Sequence, residues 1–182
     1  MNANEILRSL QLRQLHHDMK AHQDVLYLPL PERMTHFALH LAKYSGRLAH
    51  KDMSANLERT AVDAVIVCLA ASNALKVQIT SHFKETLLFE HHSLKSLGLA
   101  LSDQENTTDI ADCYFRQLAL AAGELATACE YLHHIEAAPH RKLMVDSLAR
   151  ACRSSITTFS TLPTDLETAV ARKWEQIEKT LP

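Results

Sequence analysis

The chain is short of the residues that turn a backbone sharply: three glycines and five prolines in 182 positions, with aromatics at 5% and a single tryptophan. So few turn-formers cannot connect the many short strands of a sandwich or barrel. Strong β-formers are sparse and Ala and Leu abundant, so long helices joined by short turns are expected, an all-α fold. Neither charge predominates, with 19 Lys plus Arg against 21 Asp plus Glu and a formal charge of -2. That balance lacks the basic footprint of a nucleic-acid binder, so no nucleic-acid partner is expected. No apolar run is long either. The longest, "AVIVCLAA", falls well short of a membrane span, and "MNANEILRSL" has no basic region followed by an apolar run and cleavage site. No membrane partner and a cytoplasmic location are the expectations. Cys68, Cys113, Cys129 and Cys152 form no C-x-x-C pair and read as reduced core thiols. Glycine-rich phosphate loops and a nucleophile with a legible base are missing too.

What is present is a 47% hydrophobic chain with helical periodicity, enough to bury a core. Ile6, Leu7, Leu10 and Leu15 give a first helix over residues 4–23, and "YLPLPER" interrupts it. Pro31 suits the first turn of the next helix, which reaches residue 50. "LERTAVDAVIVCLAASNAL" is apolar nearly all round and therefore central; a helix over 78–97 follows, then a linker over 98–108 beginning "GLALSDQENTTD". Past the linker, "FRQLALAAGELATACEYL" repeats "HFALHLAKYSGRLAH", aligning Gly123 with Gly46 and Leu125-Ala126 with Leu48-Ala49. "AASNALKVQITSHFKETL" and "TTFSTLPTDLETAVARKW" match as well. After an N-terminal helix and connector over 1–30, two repeats are expected, 31–97 and 109–182, folded on each other into one compact domain. Glycine inside a helix costs about 1 kcal/mol against Ala, so its reuse leads us to expect another helix close to the backbone at Gly46 and Gly123.

"LAKYSGRLA" followed by "TAVDAVIVCLAASNALKVQI" resembles the core of the MazG-like all-α nucleoside triphosphate pyrophosphohydrolases, and "LALAAGELATA" resembles the first of those helices again. The resemblance implies a MazG-like helical bundle in which two copies of a two-helix unit form a four-helix core. A homodimer could supply them, or the tandem repeat could make a pseudo-dimer from one chain. It also implies Mg²⁺ held by carboxylates of both helices. The sequence departs there: the EExxE-like set falls on Lys43, Tyr44 and Arg47, the ExxD-like set on Thr60 and Asp63, and the second-half positions on Leu120, Ala121, Glu124, Ser147 and Arg150. The resemblance therefore implies the fold more strongly than the activity, and no cofactor is expected unless the enzyme alternative holds.

Within "HFALHLAKYSGRLAH", Phe37, Leu41, Tyr44 and Leu48 form one helical stripe and His36, His40, Lys43, Arg47 and His50 another. Such a cationic stripe is either an ordinary solvated face or the lining of a cleft that takes an anion or phosphate directly. His36, His40, Lys43 and Arg47 are the candidate ligand contacts. Asp63 sits in an apolar helix, where a carboxylate must be paired; it is either a core ion-pair partner of Arg47 or Lys43, or part of a phosphate site. His36 and His40, at i and i+4, could clamp a transition metal, but no third ligand follows. The polar cluster "ACEYLHHIEAAPHRK", with Glu130 and Glu136, is either a pocket mouth or a solvated connection. Three functions follow. The first is a non-catalytic or weakly catalytic protein binding a nucleotide, another phosphorylated ligand or a protein partner. The second is a Mg²⁺-dependent pyrophosphohydrolase with a rearranged acid set of Glu58, Asp63, Glu124 and Glu130. The third is a helical scaffold with a filled core.

Overall fold

The computed structural model describes residues 1–50, 53–102, 109–134 and 137–180, without the side chains of residues 53 and 54. Among the described residues all regular structure is helical: α1 (Ala3–Ala21), α2 (Gln23–Leu26), α3 (Leu30–Leu48), α4 (Met53–Ala74), α5 (Glu85–Glu90), α6 (Leu94–Ser102), α7 (Ile110–His134), α8 (His140–Ser160) and α9 (Leu166–Glu178), with a 3₁₀ turn over Ile79–His82. None of these helices is long and apolar enough to cross a membrane.

A four-helix bundle forms the centre. α3 packs on α4 and on α7, and α8 closes the ring by packing on α4 and α7. The apolar stripe of α3, with Met34, Phe37, Leu41, Tyr44 and Leu48 all buried, explains its place. In α4, Ala61, Val62, Ala64, Val65, Val67, Cys68, Leu69 and Ala71 are buried on nearly every side, as its all-round apolarity requires. α1, α6 and α9 cover this bundle, α1 against α4, α6 against α8, and α9 bridging α1 and α4.

Hydrogen bonds from α1 rearrange the segment that follows α4. A single helix over 78–97 does not form. Gln11 takes the backbone N–H of Ile79 on its Oε1 at 3.0 Å and donates to the Val77 carbonyl at 2.7 Å, and the N–H of Ala3 reaches the His91 carbonyl at 2.7 Å. These groups satisfy backbone polarity that a continuous helix would have paired internally, and the chain is extended at Gln78, Phe83, Lys84 and His91. α4 itself ends in a Schellman arrangement, the Val77 N–H reaching the Ser72 carbonyl while Lys76 holds φ at 54°. Arg141 of α8 donates to the freed Leu75 carbonyl at 2.6 Å.

The segment read as a linker begins inside α6, whose last residues are 98–102; residues 103–108 lie outside the described set, as do 51, 52, 135, 136, 181 and 182 of the expected repeats. The expectation about the glycines is corrected. Nothing lies within 4 Å of the position a Cβ would take at Gly46 or Gly123, and both residues are exposed. The close approach occurs instead at Gly98, where a Cβ would stand 2.6 Å from both the Ile156 carbonyl oxygen and the Ser160 Cβ on α8. The sequence pattern hid it because Gly98 has no partner in the repeated motif. Cys68, Cys129 and Cys152 are buried free thiols. Burial raises the Cys68 thiol and lifts that of Cys152 to about 12, against any nucleophilic role.

Two opposite outcomes follow for glycine replacement. Gly46→Ala and Gly123→Ala should each stabilise the fold by about 0.5–1 kcal/mol, because helix entropy is recovered without a clash. Gly98→Ala should destabilise it by about 1–3 kcal/mol through overpacking of α6 on α8. Urea unfolding of the three variants measures both signs.

Candidate functional site

The basic stripe of α3 looks inward over most of its length. His36, His40, Lys43 and Arg47 all line one cavity of about 350 Å³, enclosed by α1, α2, α3, α4 and α9. Lys43 stands exposed at its rim, while His36, His40 and Arg47 are half-buried; His50 is exposed and takes no part. Lys43 and His50 are thus solvated, while His36, His40 and Arg47 are half-buried against the cavity.

Asp63 projects from α4 toward the same space. Arg47 Nη1 donates to its Oδ2 at 2.8 Å, and Lys173 Nζ of α9 lies 3.4 Å from Oδ1. The carboxylate side chain is only 8% exposed and that of Arg47 17%, so this is a largely desolvated pair whose geometry matters. Arg47 also lies 3.4 Å from the Thr60 hydroxyl and stacks over the Tyr44 ring at 5.0 Å. The core ion pair expected for Asp63 is therefore made with Arg47, and Lys173 is a second cation that α3 and α4 alone could not reveal.

The imidazoles form the next layer. His36 and His40 have ring centroids 4.5 Å apart. His40 Nδ1 lies 2.9 Å from the Tyr44 hydroxyl and 3.5 Å from Lys43 Nζ. Burial, then the charges of Lys43 and His36, depress the His40 pKa to about 4, so the ring is neutral at pH 7. An ammonium can only donate, so in this contact Nδ1 accepts and the remaining ring nitrogen carries the proton. His22, also lowered chiefly by burial, lines the cavity beside them. Arg33 adds an Nε that is buried without a protein partner.

α1 and α9 are joined across the cavity by a polar relay. Trp174 Nε1 donates to Gln14 Oε1 at 2.7 Å, and Gln14 Nε2 donates to Asp18 Oδ1 at 2.7 Å. Burial lifts the Asp18 carboxyl to about 6, partly offset by the Gln14 hydrogen bond.

The lining therefore carries five permanent cations, Arg33, Lys43, Arg47, Arg59 and Lys173, against two acids, Asp18 and Asp63. Apolar side chains, among them Val25, Leu26, Phe37, Ile66 and Ile177, make up much of the remaining wall. Such a space favours an anion with an apolar body.

The rearranged acid set does not assemble. Asp63 is held by Arg47 and Lys173, and the exposed Glu58 shares with it a recess between α4 and α9 that also carries Arg59, Arg172 and Lys173. Glu124 pairs with Arg150 at 3.3 Å, and Glu130 is exposed on α7. Among the described residues no group of three or more His, Cys, Asp or Glu is placed to hold a metal ion, the His36–His40 pair included. Glu136, from the polar cluster near α8, lies outside the described residues. Of the functional positions, sequence reasoning missed Asp18, Arg33, Arg59 and Lys173; only their spacing on amphipathic helices hinted at them. No family model, curated protein or solved structure matches the chain.

The Asp18 shift has a testable sign. A carboxyl whose folded pKa lies above its unfolded value contributes stability that is fully present below about 3.8 and lost as pH rises through about 6. Asp18→Asn keeps an oxygen for Gln14 and removes the buried charge. Its melting temperature should exceed that of the parent at pH 8, by an amount equivalent to roughly 2–3 kcal/mol, and the gain should vanish toward pH 4.

Proposed function

We propose that this protein is a divergent MazG-like member that binds a phosphorylated or otherwise anionic small molecule in the α1–α3–α4–α9 cavity, directly on cationic side chains and without Mg²⁺. The observation that carries the reading is the excess of five permanent cations over two acids around one cavity, Lys43 and Arg59 exposed at its edge, with one of the acids already neutralised by Arg47. An anion entering there gains charge-assisted hydrogen bonds in a partly desolvated setting. The open cavity favours a binder over a filled scaffold. The dispersed acids count against the pyrophosphohydrolase alternative, because phosphate chemistry on Mg²⁺ needs converging oxygen ligands.

The burial pattern supports the tandem-repeat origin of the bundle. Phe37, Leu41, Tyr44, Ser45 and Leu48 of α3 correspond to Tyr114, Leu118, Ala121, Ala122 and Leu125 of α7, and all ten are buried. Thr60, Ala61, Val62, Ala64, Val65, Val67 and Cys68 of α4 correspond to Ser147, Leu148, Ala149, Ala151, Cys152, Ser154 and Ser155 of α8, again all buried. In the same register Arg47 and Asp63 correspond to Glu124 and Arg150, so the ion pair recurs with its charges exchanged. Such a pseudo-two-fold arrangement supports one chain standing in for two copies.

Thermal unfolding with inorganic phosphate, pyrophosphate and a panel of nucleotides, each with and without Mg²⁺ or Mn²⁺, tests the reading. A binding anion should stabilise the fold without metal, by about 2.7 kcal/mol at a hundredfold excess over its Kd. Arg47→Ala should weaken that binding by about 1.5–3 kcal/mol. Stabilisation only with metal, accompanied by pyrophosphate release near about 10 s⁻¹, would replace the binder with an enzyme.

A further inference from the structure

The cavity has a neighbour on the other side of Asp63. A second recess of about 550 Å³ lies between α4 and α9, and Arg59, Asp63 and Lys173 line both spaces. Those three side chains are the partition between them. The two sides differ in chemistry. The inner space is walled by Leu15, Val25, Leu26, Ile66 and Ile177 among its apolar residues, whereas the outer recess adds Arg172 to Arg59 and Lys173. Three permanent cations there face Glu58 and Asp63 alone. The partition is also loose. Lys173 approaches Asp63 at 3.4 Å with its side chain 30% exposed, while Arg47 holds the other carboxylate oxygen at 2.8 Å. Lys173 can turn away and still leave Asp63 paired.

We propose that the two spaces form one site for an amphipathic organic anion, its apolar body in the inner cavity and its acidic group at Arg59 and Lys173, facing Arg172 in the α4–α9 recess. The inference rests on the anion-binding reading above and adds the need for an apolar body and the place of the charge. Desolvating such a body supplies affinity, and the cations at the partition select for charge, since a neutral analogue forgoes their charge-assisted hydrogen bonds.

The dye anilinonaphthalene sulfonate is a suitable probe, with uncharged phenylnaphthylamine as the matched neutral body and pyrophosphate as an anion without a body. Fluorescence titration of the folded full chain should show saturable one-to-one binding of the sulfonate, and phenylnaphthylamine should bind about tenfold or more weakly. Arg59→Gln and Lys173→Gln should each weaken the sulfonate about tenfold. Lys173→Arg should retain it, as should Arg150→Gln, which lies outside the site; circular dichroism confirms that each variant is folded. Equal binding of the neutral dye, or unchanged sulfonate affinity in Arg59→Gln and Lys173→Gln, overturns the proposal. If pyrophosphate stabilises the protein but the sulfonate does not bind, the amphipathic assignment falls and the anion-binding reading stands. If neither binds, both fall.

Discussion

Asp63 places a carboxylate in a central helix that is buried on nearly every side, and much of the architecture around it answers that placement. Desolvating such a group costs several kcal/mol unless opposite charge and good hydrogen-bond geometry meet it. Arg47 meets it at 2.8 Å from the neighbouring helix. The pair ties α3 to α4 at one point of their contact. Arg47 is steadied in turn by the Tyr44 ring beneath it, and Tyr44 by its hydroxyl contact to His40. A single buried acid thus orients a cation, an aromatic ring and an imidazole along one stripe.

The walls beyond α3 and α4 are docked by apolar side chains, Ile6, Leu7 and Leu10 of α1 and Leu166, Val170 and Trp174 of α9, and joined by polar contacts beside them. Lys173 ties α9 to Asp63, Trp174 ties α9 to Gln14 of α1, and Gln11 with Asn73 ties α1 to α4. Hydrogen bonds fix direction and distance at a few points; they do not fill volume. The same arrangement leaves Asp18 buried on α1 with a lifted pKa and Arg33 with an unpartnered Nε, both at the cavity. A lining with unmet hydrogen-bonding capacity gains more from a ligand than a saturated one would.

The helices, the central place of α4 and the convergence of His36, His40, Lys43 and Arg47 were legible because each is a matter of periodicity within one helix. Two things were not. The break after α4 depends on Gln11, far away in the chain, capturing the Ile79 N–H, and no local pattern records that. Gly98 was read as linker because its crowding comes from α8, whereas the repeated Gly46 and Gly123 caught the eye by pattern and carry no contact. Lys173 was hidden for the same reason: on an amphipathic helix a basic residue reads as solvated until another helix brings an acid beside it.

The two ion pairs of the bundle show why a site forms on one side. Arg47–Asp63 joins α3 to α4 and Glu124–Arg150 joins α7 to α8, yet the first has side-chain exposures of 17% and 8% and the second 34% and 32%. The difference lies in what covers them. α1 and α9 roof the first pair and enclose a cavity with it; α6 packs on α8 at Gly98, and Glu124 and Arg150 line none of the described pockets. An exposed pair in water is worth little, while the roofed one acts through a low-dielectric space on whatever enters. α1 and α9 therefore give one of the two pairs a more desolvated place beside a cavity, while the other stays about one-third exposed.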